Sequence, residues 1–175
     1  IKLSDEADDI PTDERLKRVS EGASDNKLVE MLFDYGRYLL VSSSEKGGQA
    51  ANLQGIWTKK LIPEWLGNYT TNINTQMNYW AAESVGLSAC HMPLLEMIKD
   101  LSKKGNHYGL RGWVCCHNSD IWRFNREATK GVYAYWQMGG IWLCRHIYEH
   151  FAYTRDLELL KEYMPVLKGA FEFLE

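Results

Sequence analysis

LVEMLFDYGRYLL, residues 28–40, decides the class of the fold. Leu28, Met31, Leu32, Tyr35 and Leu39 recur at i, i+3, i+4, i+7 and i+11, which lines up one face of an α-helix and fits no strand. Ser24-Asp25-Asn26 supplies helix-starting side chains just ahead, and SSSEKGGQ supplies the stop. The spacing therefore predicts an amphipathic helix over about residues 28–41.

The rest of the chain extends this pattern in both directions. Residues 1–27 read as the end of a linker and 28–175 as a helical domain. Residues 50–71 look irregular, although Trp57 and Trp65 need anchoring. Asn72 or Asn74 can cap a second long helix over about 75–103, broken near Gly86–Ser88 or at Pro93. After the loop GNHYGLRGW, a strong helix is expected over about 132–153. Leu160, Tyr163, Met164, Leu167, Ala170 and Leu174 form a last stripe, which Pro165 should split into helices 156–163 and 165–175. Strand-type alternation is nearly absent, so the class is all-α.

Composition narrows the function. The 175 residues are 45% hydrophobic and 25% charged, suiting about one globular domain. Net charge is −3 with no basic block, which argues against nucleic acid as a partner. The apolar runs fall far short of the roughly 18–20 residues that cross a bilayer, so no membrane partner is expected. The acidic, polar start lacks both a signal peptide and an initiator Met, as in a chain that begins inside a longer protein, and the compartment stays open. Cys90, Cys115, Cys116 and Cys144 form no Cys-x-x-Cys pair, which excludes a zinc ribbon. Buried free thiols fit best, with one disulfide open to an exported protein. Seven Trp and ten Tyr offer flat, amphipathic faces of the kind that stack on sugar rings.

Three constellations could carry chemistry. His146, Glu149 and His150 form H-x-x-E-H, with both imidazoles on one helical face at the spacing of a zinc pair. A third ligand is not in view, so polar contacts with neighbouring helices are the better reading, and neither metal nor cofactor is expected. HNSDIWRF, His117–Phe124, gathers His, Asn, Asp, Arg and aromatics in a loop that could equally cap helix ends. NYTTNINTQMNYW, Asn68–Trp80, holds four asparagines, three threonines and a glutamine without one charge. Amides both donate and accept, as sugar hydroxyls do, so the stretch reads as a carbohydrate pocket or as a network that buttresses helices. Nucleophile-elbow and phosphate-loop motifs are missing.

DERLKR, LFDYGRYLLVSSS, ANLQGIW, TTNINTQMNYWAAE, GWVCCHNSDIW, WQMGGIWLCRHIYEHF and YMPVLKGAFEFL follow one another in this chain. In that order they resemble glycoside hydrolase family 95, whose members are inverting α-L-fucosidases on terminal α-1,2-linked fucose, some favouring α-L-galactose. The resemblance implies the first half of an (α/α)6 barrel after the end of a linker, with the remaining half packing on it. It further implies that Asn74 activates the attacking water and that Asn72 holds sugar and water. Trp57, Thr70, His117, Trp122 and Trp136 are the expected sugar contacts, and a fucosylated oligosaccharide is the expected substrate. The family's Glu acid and polarising Asp fall beyond Glu175. This piece alone is therefore expected to be inactive. Departures are Thr70, where some members carry His, and Gln137 in place of a common Pro. An extracellular or periplasmic location is plausible by resemblance. A non-catalytic helical carbohydrate-binding module remains the alternative outside enzymes.

Overall fold

The computed structural model describes residues 2–3, 10–106, 109–127, 131 and 134–175. The chain divides into two compact units, residues 1–39 and 40–175. It is all-α, with six helices and two very short strands among the described residues.

In the first unit, α1 (Thr12–Ser20) forms within the stretch read as linker. Asp25 caps α2 (Asn26–Ser43), accepting the Leu28 N–H at 2.9 Å. The same carboxylate takes both oxygens to the buried Arg15 guanidinium, at 2.9 and 2.8 Å. The helix expected from LVEMLFDYGRYLL is present, but much of its stripe is uncovered. Leu32 and Tyr35 are 70% and 57% exposed, and with Ile10, Leu16, Leu28 and Met31 they border a groove of about 970 Å³.

In the second unit, β1 (Tyr69–Thr70) and β2 (Asn118–Ser119) form a two-residue antiparallel pair, Tyr69 opposite Ser119 and Thr70 opposite Asn118. The helix expected over 75–103 is divided. Its first part, α3 (Asn74–Asn78), lasts five residues, turns continue to Gly86 at φ 73°, and α4 (Ser88–Lys104) then runs unbroken through Pro93. The division falls where Asn78, the last residue of α3, and Tyr79, just after it, hold the preceding loop with their side chains. Asn78 Nδ2 donates to the Asn52 carbonyl at 3.0 Å, and the Tyr79 hydroxyl accepts the Ala51 N–H at 2.6 Å. Neither Asn72 nor Asn74 caps α3: Ile73 occupies that position, without a side-chain cap.

The helix expected from 132 starts at Gly139, as α5 (Gly139–Thr154), while residues 132 and 133 lie outside the described residues. Helix α6 (Leu157–Glu172) is continuous through Pro165, contrary to the expected split. A proline inside a helix costs about 3 kcal/mol. Here Tyr163, Val166 and Ala170 are buried on both sides of it, and their packing outweighs the lost bond.

Helices α4, α5 and α6 pack together, burying Leu94, Leu95, Ile98, Leu143, Ile147 and Tyr163. Trp113 is wedged between α5 and α6, its Nε1 donating to the Val166 carbonyl at 2.8 Å. A Cβ at Gly140 or Gly169 would come within 2.7 or 2.9 Å of that indole, so both positions need glycine. On the opposite side of α6, Leu157, Met164 and Phe171 stand exposed at seven-residue intervals.

Candidate active site

The site is built on the connection from β1 into α3. Thr71 N donates to the His117 carbonyl at 2.8 Å, continuing the pairing of β1 and β2 by one residue. Thr71 Oγ1 donates to the Cys116 carbonyl at 3.0 Å, and a Cβ at Gly139 would approach that Oγ1 to 2.7 Å. Asn72, Ile73 and Asn74 then turn outward and are exposed. Among the described residues, neither Asn72 nor Asn74 spends its amide on a protein partner. Thr75 and Gln76, the next two residues, are buried, and their side chains bond back to the Thr70 and Thr71 carbonyls at 2.8 and 2.6 Å.

Thr70, His117 and Trp136 gather around this turn. Thr70 Oγ1 donates to Asn118 Oδ1 at 2.8 Å, and Asn118 Nδ2 lies 3.1 Å from His117 Nδ1. An amide NH2 can only donate, so His117 Nδ1 is the acceptor and Nε2 carries the ring proton. Burial lowers the His117 pKa, which keeps the ring neutral and its Nε2–H available as a donor. Trp136 Nε1 donates to the Thr71 carbonyl at 3.0 Å, which fixes its half-buried indole beside the turn.

The other two expected sugar contacts lie in neighbouring loops. Trp57, 41% exposed, follows the Asn52–Gly55 loop that Asn78 ties to α3. Trp122, 76% exposed, borders a hollow of about 470 Å³ with Lys104, Asp120, Arg123 and Phe124, outside the hydrogen-bonded group of Thr70, Asn118 and His117.

The H-x-x-E-H residues separate. Glu149 turns to Arg145 at 2.5 Å, while His146 and His150 face inward. There they meet two residues that no motif indicated, Glu83 and His91. Glu83 Oε1 accepts from Nδ1 of His91 at 2.7 Å and of His150 at 2.6 Å, and Ser88 Oγ donates to Oε2. His91 Nε2 lies 2.9 Å from His146 Nδ1. Burial would raise the Glu83 pKa, but the hydrogen bonds from His91, Ser88 and His150 outweigh it and hold it at about 2. Burial, with His91 alongside, holds His146 down to about 3. Glu83, His91 and His150 have the donor types of a zinc site, and their ligand atoms lie within 4.8 Å of one another. Bonds of about 2.0–2.2 Å at tetrahedral angles would put those atoms about 3.3 Å apart. The observed separations from Glu83 are those of hydrogen bonds. With His146, these residues form a buried acid–histidine hydrogen-bond network beside α3.

Sequence reasoning missed Thr75, Gln76, Asn118, Glu83 and His91. Thr75 and Gln76 lay inside the quoted polar stretch, but bonds reaching five residues back follow no helical periodicity. Glu83, His91 and His146 are joined only by tertiary packing.

A family model described as the glycosyl hydrolase family 95 catalytic domain matches residues 1–175. Alpha-L-fucosidase 2 of Arabidopsis thaliana is 46% identical over 157 residues, covering 86% of this chain and 19% of that protein. Probable alpha-fucosidase A of Aspergillus niger is 38% identical over 175 residues, covering 94% of this chain and 22% of that protein. The chain thus spans about a fifth of the length of these curated relatives. Matched by the family model from end to end, it belongs to the glycosyl hydrolase family 95 catalytic domain family.

Proposed function

We propose that the protein containing this chain is an inverting α-L-fucosidase that releases terminal α-1,2-linked L-fucose from glycans. Family membership and the fucosidase names of both relatives support the substrate class. The observation that carries the site assignment is the pair of outward amides, Asn72 and Asn74, on a turn whose neighbours are all bonded. An unengaged amide can accept from a water and donate to a sugar hydroxyl at once.

In this reading Asn74 Oδ1 accepts a hydrogen bond from the attacking water and orients it toward the anomeric carbon. Asn72 steadies that water and the sugar. An amide cannot keep a proton at ordinary pH, so the proton must pass to a carboxylate beside it. A second carboxylic acid protonates the leaving oxygen on the opposite face, and an inverting pair stands about 6.5–9.5 Å apart to leave room for the water. Both carboxyl groups come from outside this chain. Thr70, His117 and Trp136 would contact the sugar, with Trp57 and Trp122 reaching it from flanking loops. The mechanism needs no metal. The uncovered stripe on α6 and the apolar groove along α2 suit burial by further helices of an (α/α)6 barrel.

The second reading is α-L-galactosidase, since the two sugars differ by a methyl against a hydroxymethyl, worth only about 1–3 kcal/mol in a pocket. Full-length protein should be assayed on nitrophenyl α-L-fucoside and α-L-galactoside side by side, with the first-formed anomer read by NMR. Faster fucoside cleavage with β-L-fucose as first product is expected. Faster galactoside cleavage would favour the second reading. Glycan binding without hydrolysis would instead identify a carbohydrate-binding module.

A further inference from the structure

The turn that presents Asn72 and Asn74 is fastened from beneath by two buried polar residues. Thr75 and Gln76 are polar yet only 2% and 0% exposed. Thr75 Oγ1 reaches back to the Thr70 carbonyl, and Gln76 Nε2 to the Thr71 carbonyl. Trp136 Nε1 binds the Thr71 carbonyl from a second direction. The two residues entering the turn are therefore held by the two residues leaving it, and the loop of contacts closes around the exposed amides. Helix α3 could not supply this rigidity alone. It has five residues and no side-chain cap, so its first turn carries unpaired N–H groups and little cooperative stability. Its far side rests on the buried network, with the His146 ring beside the Gln76 backbone and Trp80 edge-on to His146 at 6.2 Å between ring centroids.

We propose that Gln76 is a positioning residue for the water-activating amide of Asn74, an inference that rests on the catalytic role proposed above. Asn74 must hold a water in line with the anomeric carbon. Its amide is mobile about its own torsions, so only the backbone beneath can define where the water sits. Displacing a reacting group by about 1 Å can cost on the order of 10²-fold in rate. Losing the Gln76 bond leaves the Thr71 carbonyl held by Trp136 alone, which loosens the junction of the turn with α3 and so shifts the amide without touching the sugar.

The test uses full-length protein carrying Gln76→Leu, Gln76→Glu or Asn74→Gly. Gln76→Leu should lower kcat roughly 10- to 100-fold on a fucoside while KM changes less than about twofold. Gln76→Glu adds a readout that a merely structural role would not move. A carboxyl donates to the Thr71 carbonyl only when protonated, and burial raises its pKa. The ratio of variant to parent kcat should therefore climb as pH is lowered, with the folded fraction, followed by circular dichroism, unchanged. A ratio flat with pH, or folded Gln76→Leu protein with parental kcat, overturns the proposal. Should Gln76→Leu fail to fold, the pH ratio of Gln76→Glu decides alone. Parental kcat in Asn74→Gly would sink the catalytic reading itself, a result distinguishable from either of the others.

Discussion

Two polar clusters in the second unit are in opposite states. The Asn72–Asn74 turn is exposed and, among the described residues, leaves its amides unengaged by protein, whereas Glu83, His91, His146 and His150 are buried and bonded chiefly to one another. The first drew attention in the sequence through Asn72 and Asn74, the second only in part, through the His146 and His150 of H-x-x-E-H. The difference teaches which of them has bonding capacity left for a ligand. A buried polar group must satisfy itself inside the protein, because leaving it unpaired costs about 1–3 kcal/mol. An exposed group can wait for a substrate, provided the backbone that carries it is fixed.

If that division is right, damage to the two clusters should register in different measurements. The largest effect is expected at the turn. Asn74→Gly in the full-length protein should reduce kcat/KM by about 10³-fold or more, comparable to loss of one preorganised polar group at a reacting centre. Its melting temperature should stay close to the parent's, since an exposed side chain without partners contributes little to stability. A large drop in melting temperature with normal kcat/KM would erase the distinction.

Glu83→Leu should behave in the opposite way. Removing the shared acceptor strands the Nδ1 protons of His91 and His150, and each buried donor left unpaired costs about 1–3 kcal/mol. Denaturant titration should show that loss, while activity per folded molecule falls far less than in Asn74→Gly. A cost below about 1 kcal/mol would mean the network is peripheral to the fold.

Acid should act on the buried cluster next. The unfolded chain protonates His146 near 6.5, but the folded protein refuses that proton until about 3, so its contribution is full above pH 6.5 and declines as pH falls toward 3. Glu83 adds a lower limb: its contribution is intact above pH 4.5 and fades toward about 2. Replacing His146 by Phe should reduce the slope of the stability profile from pH 6.5 down to about 3, leaving the contributions of Glu83 and His117 in place. An unchanged upper slope would show that His146 is not the group responsible.

The smallest effect sharpens the boundary between the clusters. Asn78→Ala removes the bond to the Asn52 carbonyl and should cost about 1 kcal/mol by thermal unfolding, with a modest rise in KM because the loop before Trp57 loosens. A cost of 3 kcal/mol or more would place Asn78 with the buried group.

The sequence by itself determined the elements whose signal is local. Apolar spacing located both ends of α2 and the outer limits of α6 to within a few residues, and the end but not the start of α5, while Ser24-Asp25-Asn26 marked a start that Asp25 does cap. Strict motif order pointed to the family, and N-x-N drew attention to the exposed turn. What only the tertiary structure decided involves partners distant in the chain or bonds outside a repeating pattern. Helix α3 ends after five residues, where the side chains of Asn78 and Tyr79 bond to Asn52 and Ala51. Passage of α6 through Pro165 follows from packing on α4 and α5, which local propensity cannot anticipate. Among the uncharged residues of NYTTNINTQMNYW, the division is also tertiary: Thr75, Gln76 and Asn78 fasten backbone, and Asn72 and Asn74 stay open. Residue type states that an amide can donate and accept, and only its surroundings determine whether that capacity is already used.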